Sequence, residues 1–485
     1  MVAAAALLFV QASFQPGVTN ALQIGPIIFP DAGSSGTGDH GEPALVRTPE
    51  WAPPLSADDA VILIPGTTDY DGSDQLGRTL QIGLFGGVTT DAATGAAVVD
   101  PKAAPEVTVV SYPGAFGLDP FGIPIYLVGS DTFTHSVEAG SINGVADAEA
   151  AYPGDGNRRV VVNGYSQSAP IAMNVAYLLH HRNIDGEGEI PDDKIVVIIG
   201  ADSRFPNTGV ENTMPSLLPG LYTNGDRDPA DTGDIPVYSY CVRGDPTCGA
   251  GNPLVNPIST FFYLAPGFYV HGSLNQHINE YTITKEWTSQ EAGAGGNTHY
   301  IVYEGGNPWG MMLRDLGIPV PREFDEALSA LVPVPMPGAR STLADLPIPM
   351  SDEMRGQLSA YDVPTPRELQ ELLAARLGVG VPVHDPDACA RTPSACRADY
   401  SSVAGADTPP ATTPANSTPT APSITGTNRS ATSTAPAPSS GELAATTSTA
   451  TPTPETPTIE TPTIETPTIE TPTTESAEPA VLPNT

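Results

Sequence analysis

The sequence predicts an α/β fold with a mostly parallel central sheet, and three observations predict it. Five short runs are β-branched and almost wholly apolar, at residues 60–64, 107–112, 159–163, 194–199 and 236–240. Runs of that kind suit strands buried on both faces. Most of the segments between them are long enough for a crossover helix. Two carry helical spacing: residues 135–151, with Ala and Val in register, and residues 168–181, where Ile171, Ala172, Val175, Leu178 and Leu179 share one face. Strands alternating with helices imply an open sheet covered on both sides.

Beyond the fifth run the pattern breaks. Gly, Pro and Asn punctuate residues 244–257, and an apolar run over 261–270 leads to His271. Residues 321–400 are Pro-rich, with a helix predicted over 366–377, where Leu369, Leu372, Leu373 and Leu377 share a face. From about Ser401 the chain is Thr, Pro, Ser and Ala, which cannot bury enough surface to offset ordering entropy. Residues 401–485 are therefore expected to be a disordered stalk. A five-residue repeat from Glu455 favours extended, polyproline-like chain. The final Leu482-Pro483-Asn484-Thr485 is similar to the front of a sortase recognition motif. It reads either as the trace of cell-wall attachment or as a chance match.

The opening residues, 1–21, read as a secretory signal peptide: a short apolar run followed by small and polar residues. They depart from the pattern in having no Lys or Arg ahead of that run. No other segment reaches the roughly 20 apolar residues of a membrane span, so no transmembrane helix is expected. The net charge of −35 argues against attraction to nucleic acid or to an anionic membrane. The four cysteines form two equally spaced pairs, Cys241 with Cys248 and Cys389 with Cys396. In a secreted chain such pairs read as local disulfides. A zinc site would want closer Cys spacing and neighbouring His, and only His384 sits near a pair, so no metal and no cofactor are expected.

The chemistry centres on Gly164-Tyr165-Ser166-Gln167-Ser168. A serine hydroxyl is a weak nucleophile until a base takes its proton and donors receive the oxyanion. A nucleophile elbow supplies that setting: a buried strand, a sharp turn bearing Ser, then a helix, with small residues two positions to either side. The run at 159–163 and the helix from Ser168 flank Ser166 in that order. The same residues would also suit an ordinary helix N-cap. An acid and a base should follow in that order. Asp245, in the Cys241–Cys248 loop, is the preferred acid and Asp202 its rival; a plain Gly-Asp-Pro turn is the simpler reading of Asp245. His271 ends an apolar run and ranks above His299 and His277 as base. The oxyanion donors expected are the Gln167 N–H and Thr67, in the Gly66-Thr67 turn after the first strand, where a plain turn fits equally well.

Together these residues resemble the PE-PPE C-terminal domain family, cutinase-like serine α/β-hydrolases, over about residues 60–320. The matching stretches are "NGYSQSA", "IIGADSRFPNTG", "LAPGFYVHGSL" and "NTHYIVYEGGNPWGMMLRDLG", with His299 where the family usually has Tyr. "CVRGDPTC" resembles the cutinase loop whose Asp is catalytic. No PE or PPE helical domain stands ahead of the matching stretch, and neither the extension nor the stalk belongs to the family pattern. The resemblance implies a cutinase-like α/β-hydrolase, assigned to residues 22–320, while composition alone sets off the extension over 321–400 and the stalk. The resemblance also implies a serine esterase or lipase with an acyl ester or envelope lipid as substrate, and the signal-like opening and the stalk make a secreted or envelope-associated location the expectation. Two alternatives remain: an acyltransferase building trehalose-type glycolipids, and a dead hydrolase scaffold displayed as a binding protein.

Overall fold

The computed structural model describes residues 48–386, less 85–87, 91–96, 100–103, 121–124, 155 and 157, together with a short strand pair, Gln23–Ile24 with Ile27–Ile28. The expected signal segment, the Cys389/Cys396 pair and the Thr/Pro-rich stalk lie outside the described residues.

A seven-stranded sheet organises the chain. Its strands are β1 (Ala60–Ile64), β2 (Glu106–Val109), β3 (Val160–Tyr165), β4 (Ile195–Gly200), β5 (Val237–Val242), β6 (Thr282–Thr288) and β7 (Thr298–Glu304). The order across the sheet is β6-β7-β5-β4-β3-β1-β2, and every pairing is parallel except β6 with β7. The five strands expected from sequence form one continuous parallel block, and a hairpin extends it at the β5 side. β3 and β4, at its centre, are buried along their whole length, which is why they carry Val and Ile without alternation.

Alternate residues of each strand face opposite cores. Ile62, Ile64, Val160, Val162, Val197 and Ile199 pack under the helices α1 (Phe133–Ala151) and α2 (Ser168–Asp185). Val61, Leu63, Val161, Val196 and Ile198 face the other way, toward Tyr269, Val270, Leu274 and Ile278. α1 and α2 approach closely because Gly144 lacks a side chain; a Cβ there would lie 2.7 Å from Val175. α2 stops at Gly186, whose φ of 75° admits the left-handed cap.

The extension packs by polar contacts. Ser216 and the Gln370 amide exchange hydrogen bonds of 2.7 and 2.6 Å, and Arg314 pairs with Asp325 at 2.7 Å. The helix Pro366–Leu377 forms with the predicted bounds, but it docks through Arg367, 3 % exposed, and Ala374. Its leucines do not form a buried face: Leu372, Leu373 and Leu377 are exposed. No helix among the described residues is long and apolar enough to cross a membrane.

Candidate active site

The site sits at the carboxyl ends of β3 and β5, where the parallel strands hand over to turns. β3 ends at Tyr165 and α2 begins at Ser168, leaving two residues for the reversal. Ser166 absorbs it with a φ of 61°, a conformation L-residues rarely adopt. Gly164 permits the close return, since a Cβ there would lie 2.4 Å from the Ser168 carbonyl oxygen. Ser168 closes the turn: its Oγ accepts from Tyr165 N at 2.7 Å and donates to Tyr165 O at 2.8 Å.

Ser166 Oγ is 2.8 Å from His271 Nε2, and His271 Nδ1 is 2.9 and 3.0 Å from the two Asp245 oxygens. With the Nδ1 proton directed to the carboxylate, Nε2 is left to accept from the serine. His271 stands on a π-helical turn, Val270–Leu274, following the helix Leu264–Tyr269. Widened turns of that kind recur where a side chain must be re-aimed.

Asp245 is fully buried. It accepts from Thr247 N at 2.8 Å and from Asn275 Nδ2 at 3.1 Å, so each oxygen has a second donor besides the imidazole. Its loop is closed by a Cys241–Cys248 disulfide, as the spacing predicts, and Cys241 lies inside β5. Gly244, with φ 95°, lets the loop pass Pro308, which a Cβ would meet at 2.3 Å.

The expected oxyanion donors come together as well. Gln167 is 5 % exposed, and its Nε2 donates to Ala115 O at 2.8 Å. That turns Oε1 toward Thr67, whose hydroxyl donates to it at 2.6 Å. The Thr67 hydroxyl proton is thus committed, and its contribution to a bound oxygen falls to the backbone N–H. The N–H groups of Thr67 and Gln167 make no backbone hydrogen bond among the described residues.

The rival residues sit elsewhere. Asp202, fully buried, is held by Arg227 Nη1 at 2.6 Å and Nη2 at 3.2 Å. His299 pairs with Glu286 across the β6–β7 hairpin at 2.7 Å, and His277 is an exposed neighbour of Glu280. No group of His, Cys, Asp and Glu able to hold a metal occurs among the described residues.

No family model matches the chain, and no curated protein matches it. Among solved structures it is similar to a serine-to-alanine mutant of YbtT, a type II thioesterase from the yersiniabactin NRPS/PKS biosynthetic pathway. The identity is 11 % over 60 % of this chain and 97 % of that chain, with a TM-score of 0.23. So slight a likeness carries no argument, and the site stands on its own geometry.

Three neighbours of the site escape a reading by motif. Thr247 left a signal, since Asp-Pro-Thr is a pattern in which the carboxylate bonds the N–H two residues on. Asn275 and Tyr165 left none. The Tyr165 ring stacks on His271 with centroids 5.0 Å apart, and its hydroxyl donates to His271 O at 2.5 Å. Burial pushes the Tyr165 phenol well above its ordinary value, which keeps it a donor.

Proposed function

We propose that the protein is a serine esterase or lipase of the cutinase-like α/β-hydrolase type, allied to the PE-PPE C-terminal domain family, that hydrolyses acyl esters. The observation that carries this reading is the unbroken hydrogen-bonded chain from Ser166 through His271 to Asp245, with the serine on a left-handed turn between strand and helix. The same geometry weighs against a dead scaffold used only for binding, because such a role needs neither the strain at Ser166 nor the satisfied carboxylate behind His271.

Ser166 Oγ attacks the acyl carbon as His271 Nε2 takes its proton. The Thr67 and Gln167 N–H groups receive the oxyanion. Asp245 holds the tautomer and stabilises the imidazolium. Collapse expels the alcohol, which takes the proton from Nε2 and leaves an acyl-Ser166. Water, deprotonated by His271, adds to that ester and releases the acid. The same acyl-enzyme passed to a sugar hydroxyl would make the protein a transferase. Secretion to the cell envelope is supported by the signal-like opening residues and by the disulfide.

The test is reaction of the purified chain with a fluorophosphonate probe and with 4-nitrophenyl butyrate, with and without trehalose. The expected result is labelling and turnover by the wild type and neither by Ser166→Ala. Acyl-trehalose formed at the expense of free acid would assign the transferase. A folded wild type that neither labels nor turns over would overturn the enzymatic reading.

A further inference from the structure

One buried charge beside the site has no part in the chemistry described above. Arg78 lies on the helix Ser73–Ile82 and is 7 % exposed. Its Nε and Nη1 are buried without a hydrogen-bond partner among the described residues. Such a cation is costly to bury, and its surroundings here are aromatic. The guanidinium carbon stands 4.0 Å from the Tyr165 ring centroid, a cation–π contact. Its Nη2 donates to Gly272 O at 3.3 Å. The Tyr165 ring in turn stacks on His271, and its hydroxyl holds the His271 carbonyl. Arginine and tyrosine therefore grip two consecutive carbonyls, those of His271 and Gly272, in the π-helical turn that presents the imidazole.

We propose that Arg78 is a positioning residue that sets His271 against Ser166, acting through Tyr165 and the Gly272 carbonyl. This rests on the serine-hydrolase reading. The groups placed against His271 are Ser166 and Tyr165 from the elbow and Asp245 and Thr247 from the disulfide loop. Arg78 is the charge behind them on the helix side. A neutral side chain filling the same space would pack but would supply neither the carbonyl clamp nor the cation–π contact.

The experiment compares Arg78→Met, Arg78→Lys and Tyr165→Phe in the full chain. It reads the fluorophosphonate labelling rate and kcat and KM for 4-nitrophenyl butyrate. In Arg78→Met the labelling rate and kcat should fall about tenfold or more, with KM within about twofold. Arg78→Lys should recover part of kcat. Tyr165→Phe should lower kcat. A folded Arg78→Met with wild-type rates overturns the proposal. So does a rate loss that Arg78→Lys does not relieve at all. If Arg78→Met does not fold, a Tyr165→Phe enzyme with unchanged kcat overturns it alone. A wild type that never labels would instead sink the hydrolase reading.

Discussion

Thr67 and Gln167, 100 residues apart, are joined by a 2.6 Å hydrogen bond from the Thr67 hydroxyl to the Gln167 amide oxygen. The other end of that amide holds Ala115 O. One buried side chain thus ties the turn after β1 to the residue after the nucleophile, the two places whose N–H groups are proposed to meet the oxyanion. Thr67→Val keeps the shape and removes the tie. It should lower kcat about tenfold to a hundredfold with KM within about threefold, because the loss falls on the transition state. Steady-state kinetics on a nitrophenyl ester checks this, and an unchanged kcat would detach Thr67 from the chemistry.

Ser168 stands where the commonest elbow pattern has glycine, and here its hydroxyl has work to do. It is fully buried and makes two hydrogen bonds to the Tyr165 backbone, at 2.7 and 2.8 Å. Ser168→Ala should cost about 1–3 kcal/mol of stability. It should also slow labelling of Ser166, since the turn that strains the nucleophile would be held less firmly. Urea unfolding and the labelling rate measure the two effects separately.

The central block of the sheet was legible because strands buried on both faces cannot alternate, and β3 and β4 show it in the runs Val160–Val162 and Ile195–Ile199. The β6–β7 hairpin was not. β6 is an edge strand carrying Lys285 and Glu286, and its sequence reads as solvent-facing. Ser166, Asp245 and His271 were legible because each sits in a local pattern tied to a turn. Arg78 was not, because its meaning depends on Gly272, 194 residues away. The leucines of the helix Pro366–Leu377 misled for a related reason. Periodicity reveals an apolar face, yet the partner surface around Ser216 and Thr223 selected Arg367 and Gln370 instead.

The Cys241–Cys248 disulfide encloses Asp245, and both cysteines are fully buried. A loop this short should constrain the unfolded chain by about 2.5 kcal/mol. The double variant Cys241→Ala/Cys248→Ala should lose about that much in denaturant unfolding. It should lose kcat as well, because the carboxylate that orients His271 would rest on an untethered loop. Wild-type kcat in a folded double variant would show that Thr247 and Asn275 suffice to hold Asp245.

Glu211 links the core to the end of the described extension. It is 2 % exposed, accepts from Ser203 Oγ at 2.6 Å and Asn224 N at 2.9 Å, and lies 3.5 Å from His384 Nε2, itself fully buried. Burial alone pushes this carboxyl up, but His384, Arg204 and Ser203 outweigh it and hold the group at about 2, against an ordinary 4.5. A carboxylate depressed in the folded state stabilises it at pH values above the ordinary one, and that stability drains away as pH falls toward the folded value. Glu211→Gln should therefore be less stable than wild type at pH 6, by on the order of 2 kcal/mol. The gap should narrow below pH 4.5 and close toward about 2. Thermal unfolding of both proteins across that range checks it, and a gap independent of pH would mean that the contact acts by shape and not by charge.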